Sequence, residues 1–196
     1  MSLNTNHQQL ILVTGPARSG KSEWAENLAA QSALKVVYVA TAAICLEDQD
    51  WQARILTHQK RRPPEWQTLH VPVEIAQTIQ SQPQSVCLLI DSLGTWLANV
   101  LEQDACLWTN TLQQLLKSLQ QAECHIIMVG EETGWGVVPA YPLGRLFRDR
   151  MGELVRQVGA ISDQVYLVSA GYALNLKALG TYIPTVDSLD MTETEE

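Results

Sequence analysis

The chain has 196 residues, 46% of them apolar, with 13 basic and 21 acidic side chains and a formal net charge of −8. That length lets one core bury about 70% of the unfolded surface, so neither a disulfide nor a metal staple is needed for stability. The acidic balance argues against the broad basic face of a nucleic-acid or membrane-surface protein and points to small-molecule partners.

In chain order, residues 1–9 are mostly polar and read as a tail, followed by the apolar β-type run Leu10–Thr14. The next eight residues, Gly15, Pro16, Ala17, Arg18, Ser19, Gly20, Lys21 and Ser22, complete a GxxxxGK[ST] phosphate loop. Glycines let successive N–H groups converge on phosphate oxygens, and the helix that follows adds its positive end. Lys21 reaches the β and γ phosphates, and Ser22 can ligate Mg²⁺. The helical rhythm of Trp24, Leu28 and Gln31 predicts that helix over Lys21–Ser32.

Further strands are predicted at Lys35–Ala40, Ser85–Asp91, His125–Val129 and Gln164–Ser169, with a weaker one at Leu174–Lys177. Helices are predicted at Asp48–Arg61, Val73–Gln80, Thr95–Gln103, Leu107–Gln121 and Leu143–Val158. Short apolar runs alternating with amphipathic stretches give an α/β fold: a mainly parallel sheet flanked by helices, a P-loop NTPase of the RecA-like kind. No repeat or linker interrupts it, so residues 10–180 are expected as a single domain and 181–196 as a C-terminal tail with a mobile acidic end. Cys45, Cys87, Cys106 and Cys124 lie too far apart in sequence for zinc or CxxC spacing. No apolar run approaches the roughly 18 residues of a membrane span, and no N-terminal leader is visible, so a cytoplasmic setting without membrane insertion is expected.

Three further groups carry chemistry. The run Val86–Ile90 ends in Asp91, a carboxylate that would hold Mg²⁺ opposite Ser22; a cap for the next helix is the alternative. Between Asp48 and Trp66, Arg54 and His58 are spaced i and i+4, and Lys60, Arg61 and Arg62 follow. That setting suits an imidazole attacking a phosphorus centre whose charge the cations neutralise, although a solvated histidine on an exposed helix has the same spacing. Beyond the strand His125–Val129, the loop Gly130–Pro139 holds Glu131 and Glu132 among glycines that allow close backbone approach to a ligand. Arg54, Arg62 and Glu132 thus join the phosphate loop as nucleotide-binding candidates.

With these residues in place, the chain resembles the bifunctional adenosylcobinamide kinase and adenosylcobinamide-phosphate guanylyltransferase family of cobalamin biosynthesis. The resemblance rests on ILVTGxARSGKS at Ile11–Ser22, YVAT at Tyr38–Thr41, ARIxxHxxxRPxxW at Ala53–Trp66, the strand ending at Asp91, and ExGxGxVP at Glu132–Pro139. It implies phosphorylation of adenosylcobinamide with ATP or GTP. GTP then guanylylates a histidine, here His58, and the GMP passes on to give adenosylcobinamide-GDP. Lys21 and His58 are the catalytic residues on this reading, Mg²⁺ is the cofactor held by Ser22 and Asp91, and the chain is expected as a homo-oligomer, a trimer in the family's pattern. Against that pattern, Pro16 replaces a glycine, Glu131 an Asn, Thr133 a Val, Ser92 a Cys and Gly94 a Thr, and His70 stands where Glu is expected. The alternatives are retention of only one activity, a different P-loop small-molecule kinase, or a nucleotide-dependent switch; against the last, no [NT]KxD guanine-reading signature occurs.

Overall fold

A computed structural model describes residues 8–43 and 62–184. Seven strands form one sheet: β1 (Leu10–Gly15), β2 (Lys35–Ala40), β3 (Gln67–His70), β4 (Val86–Asp91), β5 (His125–Glu131), β6 (Gln164–Ser169) and β7 (Tyr172–Asn175). Their order across the sheet is β3-β2-β4-β5-β1-β6-β7, with every neighbouring pair parallel except the final β6/β7 hairpin. The helices are α1 (Lys21–Gln31), α2 (Ile75–Gln80), α3 (Leu93–Val100), α4 (Ala105–Gln121), α5 (Pro142–Ile161) and the short α6 (Leu176–Leu179).

Because strand side chains alternate between faces, β1, β4 and β5, buried on both, read as continuous apolar runs rather than alternating ones. Leu10, Leu12, Leu88, Ile90, Ile126 and Met128 meet Ile75, Leu97, Leu115 and Leu154 from α2 to α5 on one face. Ile11, Val13, Leu89, Ile127 and Val129 meet Ala25, Leu28 and Ala29 of α1 on the other. Each such fully buried aliphatic side chain contributes about 1.5–3 kcal/mol relative to leaving it exposed. Cys87 and Cys124 belong to this interior, and burial pushes their thiols up to about 12 and about 11, so they behave as small apolar groups.

The helix starts follow from local chemistry. Ser92 and Thr95 form a reciprocal capping box at α3, Asp104 accepts from Leu107 N–H at 2.8 Å to start α4, and Pro142 opens α5. Boundaries therefore lie a few residues from the pattern-based ones: α3 begins at Leu93 rather than Thr95 and α2 at Ile75 rather than Val73. Two corrections are larger. Gln67–His70 is a strand where the sequence suggests none, and the weak strand at Leu174–Lys177 divides into β7 and α6. The division follows from Ala170 and Gly171, whose positive φ values turn the chain back, and from the Asn175 side chain, which caps α6 at Lys177 N–H. The predicted helix Asp48–Arg61 and the tail residues 1–7 and 185–196 lie outside the described residues.

Candidate functional site

The sheet brings its informative residues to one end. In the parallel register Gly15 pairs with Glu131, and Ala40 pairs with both Asp91 and His70, so the phosphate loop, the Asp91 carboxylate and the Glu131–Pro139 loop all leave the carboxyl ends of adjacent strands. That is where open α/β sheets bind ligands.

Gly20 sits at φ 93°, a conformation that favours glycine, and turns the loop into the first turn of α1. Lys21 is buried and its Nζ donates to the Pro16 carbonyl oxygen at 3.2 Å, so the ammonium is folded over the loop it serves. Ser19 Oγ is buried with no hydrogen-bond partner among the described residues, a donor of the kind that a phosphate oxygen satisfies. Pro16 causes no loss at the second loop position, because its carbonyl oxygen is used and its missing N–H is not.

Helix α1 crosses from β1 over β5 to β4. At its N-terminus, Ser22 Oγ lies 3.4 Å from Asp91 Oδ1, although β5 separates β1 from β4 in the sheet. The other carboxylate oxygen, Oδ2, accepts from the Tyr38 hydroxyl at 2.9 Å. Burial, then the Asp91 charge, holds the Tyr38 phenol well above its usual range, so it stays protonated and donates. The Arg62 guanidinium stacks over the Tyr38 ring at 3.7 Å from its centroid and also donates to Thr68 Oγ1 at 3.2 Å. One hydroxyl and one carboxylate facing each other do not cage a cation, and no group of three or more His, Cys, Asp or Glu among the described residues does so. The pair fits Mg²⁺, which characteristically keeps waters and takes one or two protein oxygens together with substrate phosphates.

The two glutamates after β5 have different settings. Glu132 accepts from Thr14 Oγ1 at 2.8 Å, and its N–H donates to the Gly15 carbonyl oxygen at 3.0 Å, which ties the following loop to the phosphate loop. Glu131 turns inward and accepts from Gly94 N–H at 2.7 Å, the start of α3. Burial raises its pKa, offset in part by the Ser92 hydroxyl and the Lys21 charge and reinforced by Asp91. A side chain at Gly94 would collide with that carboxylate. Gly94→Ala should therefore push Glu131 off the N–H, a loss of about 1–3 kcal/mol set against the roughly 1 kcal/mol that Ala gains over Gly within a helix, so denaturant unfolding should show a net loss of about 0–2 kcal/mol. Glu131→Ala in the same chain should remove most of the Gly94→Ala effect, and equal losses in both backgrounds would contradict the contact.

Of the residues expected from the sequence, Gly15 to Ser22, Asp91, Glu132 and Arg62 gather at this end, with Arg62 reaching it through Tyr38. His58 and Arg54 lie outside the described residues. Tyr38 was legible only as part of a strand and Glu131 only as one of two loop carboxylates; their contacts join residues 53 and 37 positions apart. His125 lies at the start of β5, away from this site, with its pKa lowered by burial. Beyond Glu132 the loop turns outward and exposes Trp135, Val137 and Val138.

Among solved structures, a protein of Pyrococcus horikoshii aligns with a TM-score of 0.55 at 8% identity, covering 90% of this chain and 92% of that one. A prototypical ATPase from a bacterial type III secretion system aligns at 0.52 and 13% identity, covering 93% and 60%. At these identities the likeness concerns the fold alone, a mostly parallel sheet flanked by helices. Sequence relatives are far nearer. The bifunctional adenosylcobalamin biosynthesis protein CobP of Pseudomonas aeruginosa is 40% identical over 85% of this chain and 96% of its own length. The bifunctional adenosylcobalamin biosynthesis protein CobU of Escherichia coli is 33% identical over 86% and 99%. The family model described as cobinamide kinase / cobinamide phosphate guanyltransferase matches residues 11–176. Spanning the phosphate loop, the Asp91 strand and the Glu131–Pro139 loop, that match shows that the chain belongs to the cobinamide kinase / cobinamide phosphate guanyltransferase family.

Proposed function

We propose that one nucleotide site serves two reactions: phosphorylation of the aminopropanol hydroxyl of adenosylcobinamide by ATP or GTP, then transfer of GMP from GTP through His58 to adenosylcobinamide phosphate. The observation that carries this is Ser22 facing Asp91 across the phosphate loop in a chain of this family, with no second phosphate-loop motif in the sequence.

In the kinase step the acceptor hydroxyl oxygen bonds to the γ-phosphorus as its bond to the β–γ bridging oxygen breaks, releasing the nucleoside diphosphate. The protein's part is positioning and charge stabilisation by the loop N–H groups and Lys21. In the guanylyl step an imidazole nitrogen of His58 bonds to the α-phosphorus of GTP and pyrophosphate leaves. A phosphate oxygen of the corrinoid then displaces the imidazole, which splits one difficult transfer into two easier ones. The same loop that meets the β and γ phosphates in the first reaction receives the departing pyrophosphate in the second. Ser22 and Asp91 would hold Mg²⁺, which neutralises phosphate charge when bound. Arg62 and Arg54 would offset the remaining charge on the nucleotide.

The acidic composition supports a small corrinoid as the partner, with no nucleic acid. A cytoplasmic setting without membrane insertion belongs to the same proposal; among the described residues no helix is long and apolar enough to cross a membrane. The homo-oligomer, a trimer in the family's pattern, belongs to the same proposal, as does a single domain over residues 10–180.

Two experiments test it. Purified protein given adenosylcobinamide, ATP and Mg²⁺, then GTP, should give first the phosphate and then the GDP ester by mass spectrometry. Nucleotide turnover with the corrinoid unchanged would contradict the proposal. Asp91→Asn keeps size and one acceptor oxygen but removes the charge and the second acceptor, and should raise the Mg²⁺ midpoint of both reactions about tenfold or more. The cap of α3 is Ser92 and not Asp91, so a metal titration with an unshifted midpoint would leave Asp91 as an acceptor for Ser22 and Tyr38 alone.

A further inference from the structure

Asp91 is one of two protein oxygens proposed for the cation, and a carboxylate on a strand end can rotate. Its orientation is set from the opposite side by Tyr38, two strand positions before the end of β2 and paired with Leu89 of β4. The Tyr38 side chain is 4% exposed, so its ring has little room to move. Its hydroxyl donates to Oδ2 at 2.9 Å, which leaves Oδ1 toward Ser22. The outer face of the same ring carries the Arg62 guanidinium, four residues beyond His58 in sequence. A single side chain therefore touches both the carboxylate and the cation that ends the histidine segment.

We propose that Tyr38 is a positioning residue that aims the Asp91 carboxylate at Ser22 and seats Arg62 on its ring, so that cation binding and the placement of Arg62 are coupled through one phenol. This rests on the reading of Ser22 and Asp91 as the cation's ligands. A charge-assisted hydrogen bond from a buried phenol fixes a carboxylate far better than water does, because the donor costs no reordering when the cation arrives. The stacked guanidinium draws density from the ring and strengthens the phenol as a donor.

The test uses Mn²⁺ as the probe, with a non-hydrolysable GTP analogue bound, and reads the free ion by electron paramagnetic resonance. Tyr38→Phe keeps the ring and loses the hydroxyl. It should raise the Mn²⁺ midpoint about tenfold while the affinity for the analogue without metal stays within about twofold. In Asp91→Asn the further change Tyr38→Phe should add little, because the hydroxyl then has no charged oxygen to aim. Arg62→Met should raise the midpoint about two- to threefold in the otherwise unchanged chain and by clearly less when Tyr38 is already Phe, the remainder being its direct charge on the nucleotide. An unshifted midpoint in Tyr38→Phe would overturn the proposal, as would equal fold losses with and without the Asp91 carboxylate. Equal Arg62 effects on both backgrounds would break the coupling. Circular dichroism and thermal unfolding of Tyr38→Phe should match the parent, since the Phe ring refills the site. Failure of the guanylyl reading would show as absence of covalent GMP in the unsubstituted chain, while the metal midpoint is read with no transfer step, so the two fail separately.

Discussion

His58→Ala should abolish formation of a covalent GMP adduct and reduce transfer to adenosylcobinamide phosphate by three orders of magnitude or more, on the order of what removal of a covalent nucleophile costs. The same variant should keep phosphorylation of adenosylcobinamide within about threefold, since direct attack by the acceptor hydroxyl needs no protein nucleophile. The asymmetry is the informative part. A solvated histidine on an exposed helix would leave both reactions intact, and a residue needed for folding would remove both. Assaying the two half-reactions separately, with the corrinoid phosphate supplied for the second, distinguishes these outcomes.

Lys21→Ala should behave in the opposite way and lower both reactions together, each by about 10²–10³-fold. Lys21 is buried and folded over the phosphate loop, 3.2 Å from the Pro16 carbonyl oxygen. One ammonium in one loop meets the γ-phosphoryl group in the first reaction and the departing pyrophosphate in the second. Near-normal guanylylation in this variant would mean that GTP uses a separate site.

What the sequence made legible was the local chemistry. The phosphate loop is eight consecutive residues whose job is done by backbone and one side chain each, and Asp91 is marked by the buried run before it; both fall at strand ends as expected. The strands β1, β4 and β5 were readable because burial on both faces leaves unbroken apolar runs along them, residues 10–13, 86–90 and 126–129. Strand β3 was not readable: it has four residues, mostly exposed at the sheet edge, and is a strand only because β2 lies beside it. Glu131 and Tyr38 escaped for a related reason. Nothing near Glu131 in sequence shows that its carboxylate meets the first turn of α3 and shares the space that a side chain at Gly94 would take. Nothing near Tyr38 shows that its hydroxyl ends at Asp91, since that contact exists only once β2 and β4 pair in register. The pairing of Ser22 with Asp91 is a third case, expected from the motif combination but realised only once β1 and β4 both lie parallel to β5 and end on the same side.

Guanylylation of the enzyme itself separates the proposed chemistry from that of a plain kinase or a nucleotide switch. It is tested most directly by incubating the unsubstituted chain with Mg²⁺ and GTP labelled at the α-phosphorus, then resolving it on a denaturing gel. The expected result is a protein band whose label maps to the peptide containing His58 and is lost in mild acid but stable in alkali, as a P–N bond requires. An unlabelled band, or label that survives acid or maps to another residue, would contradict it.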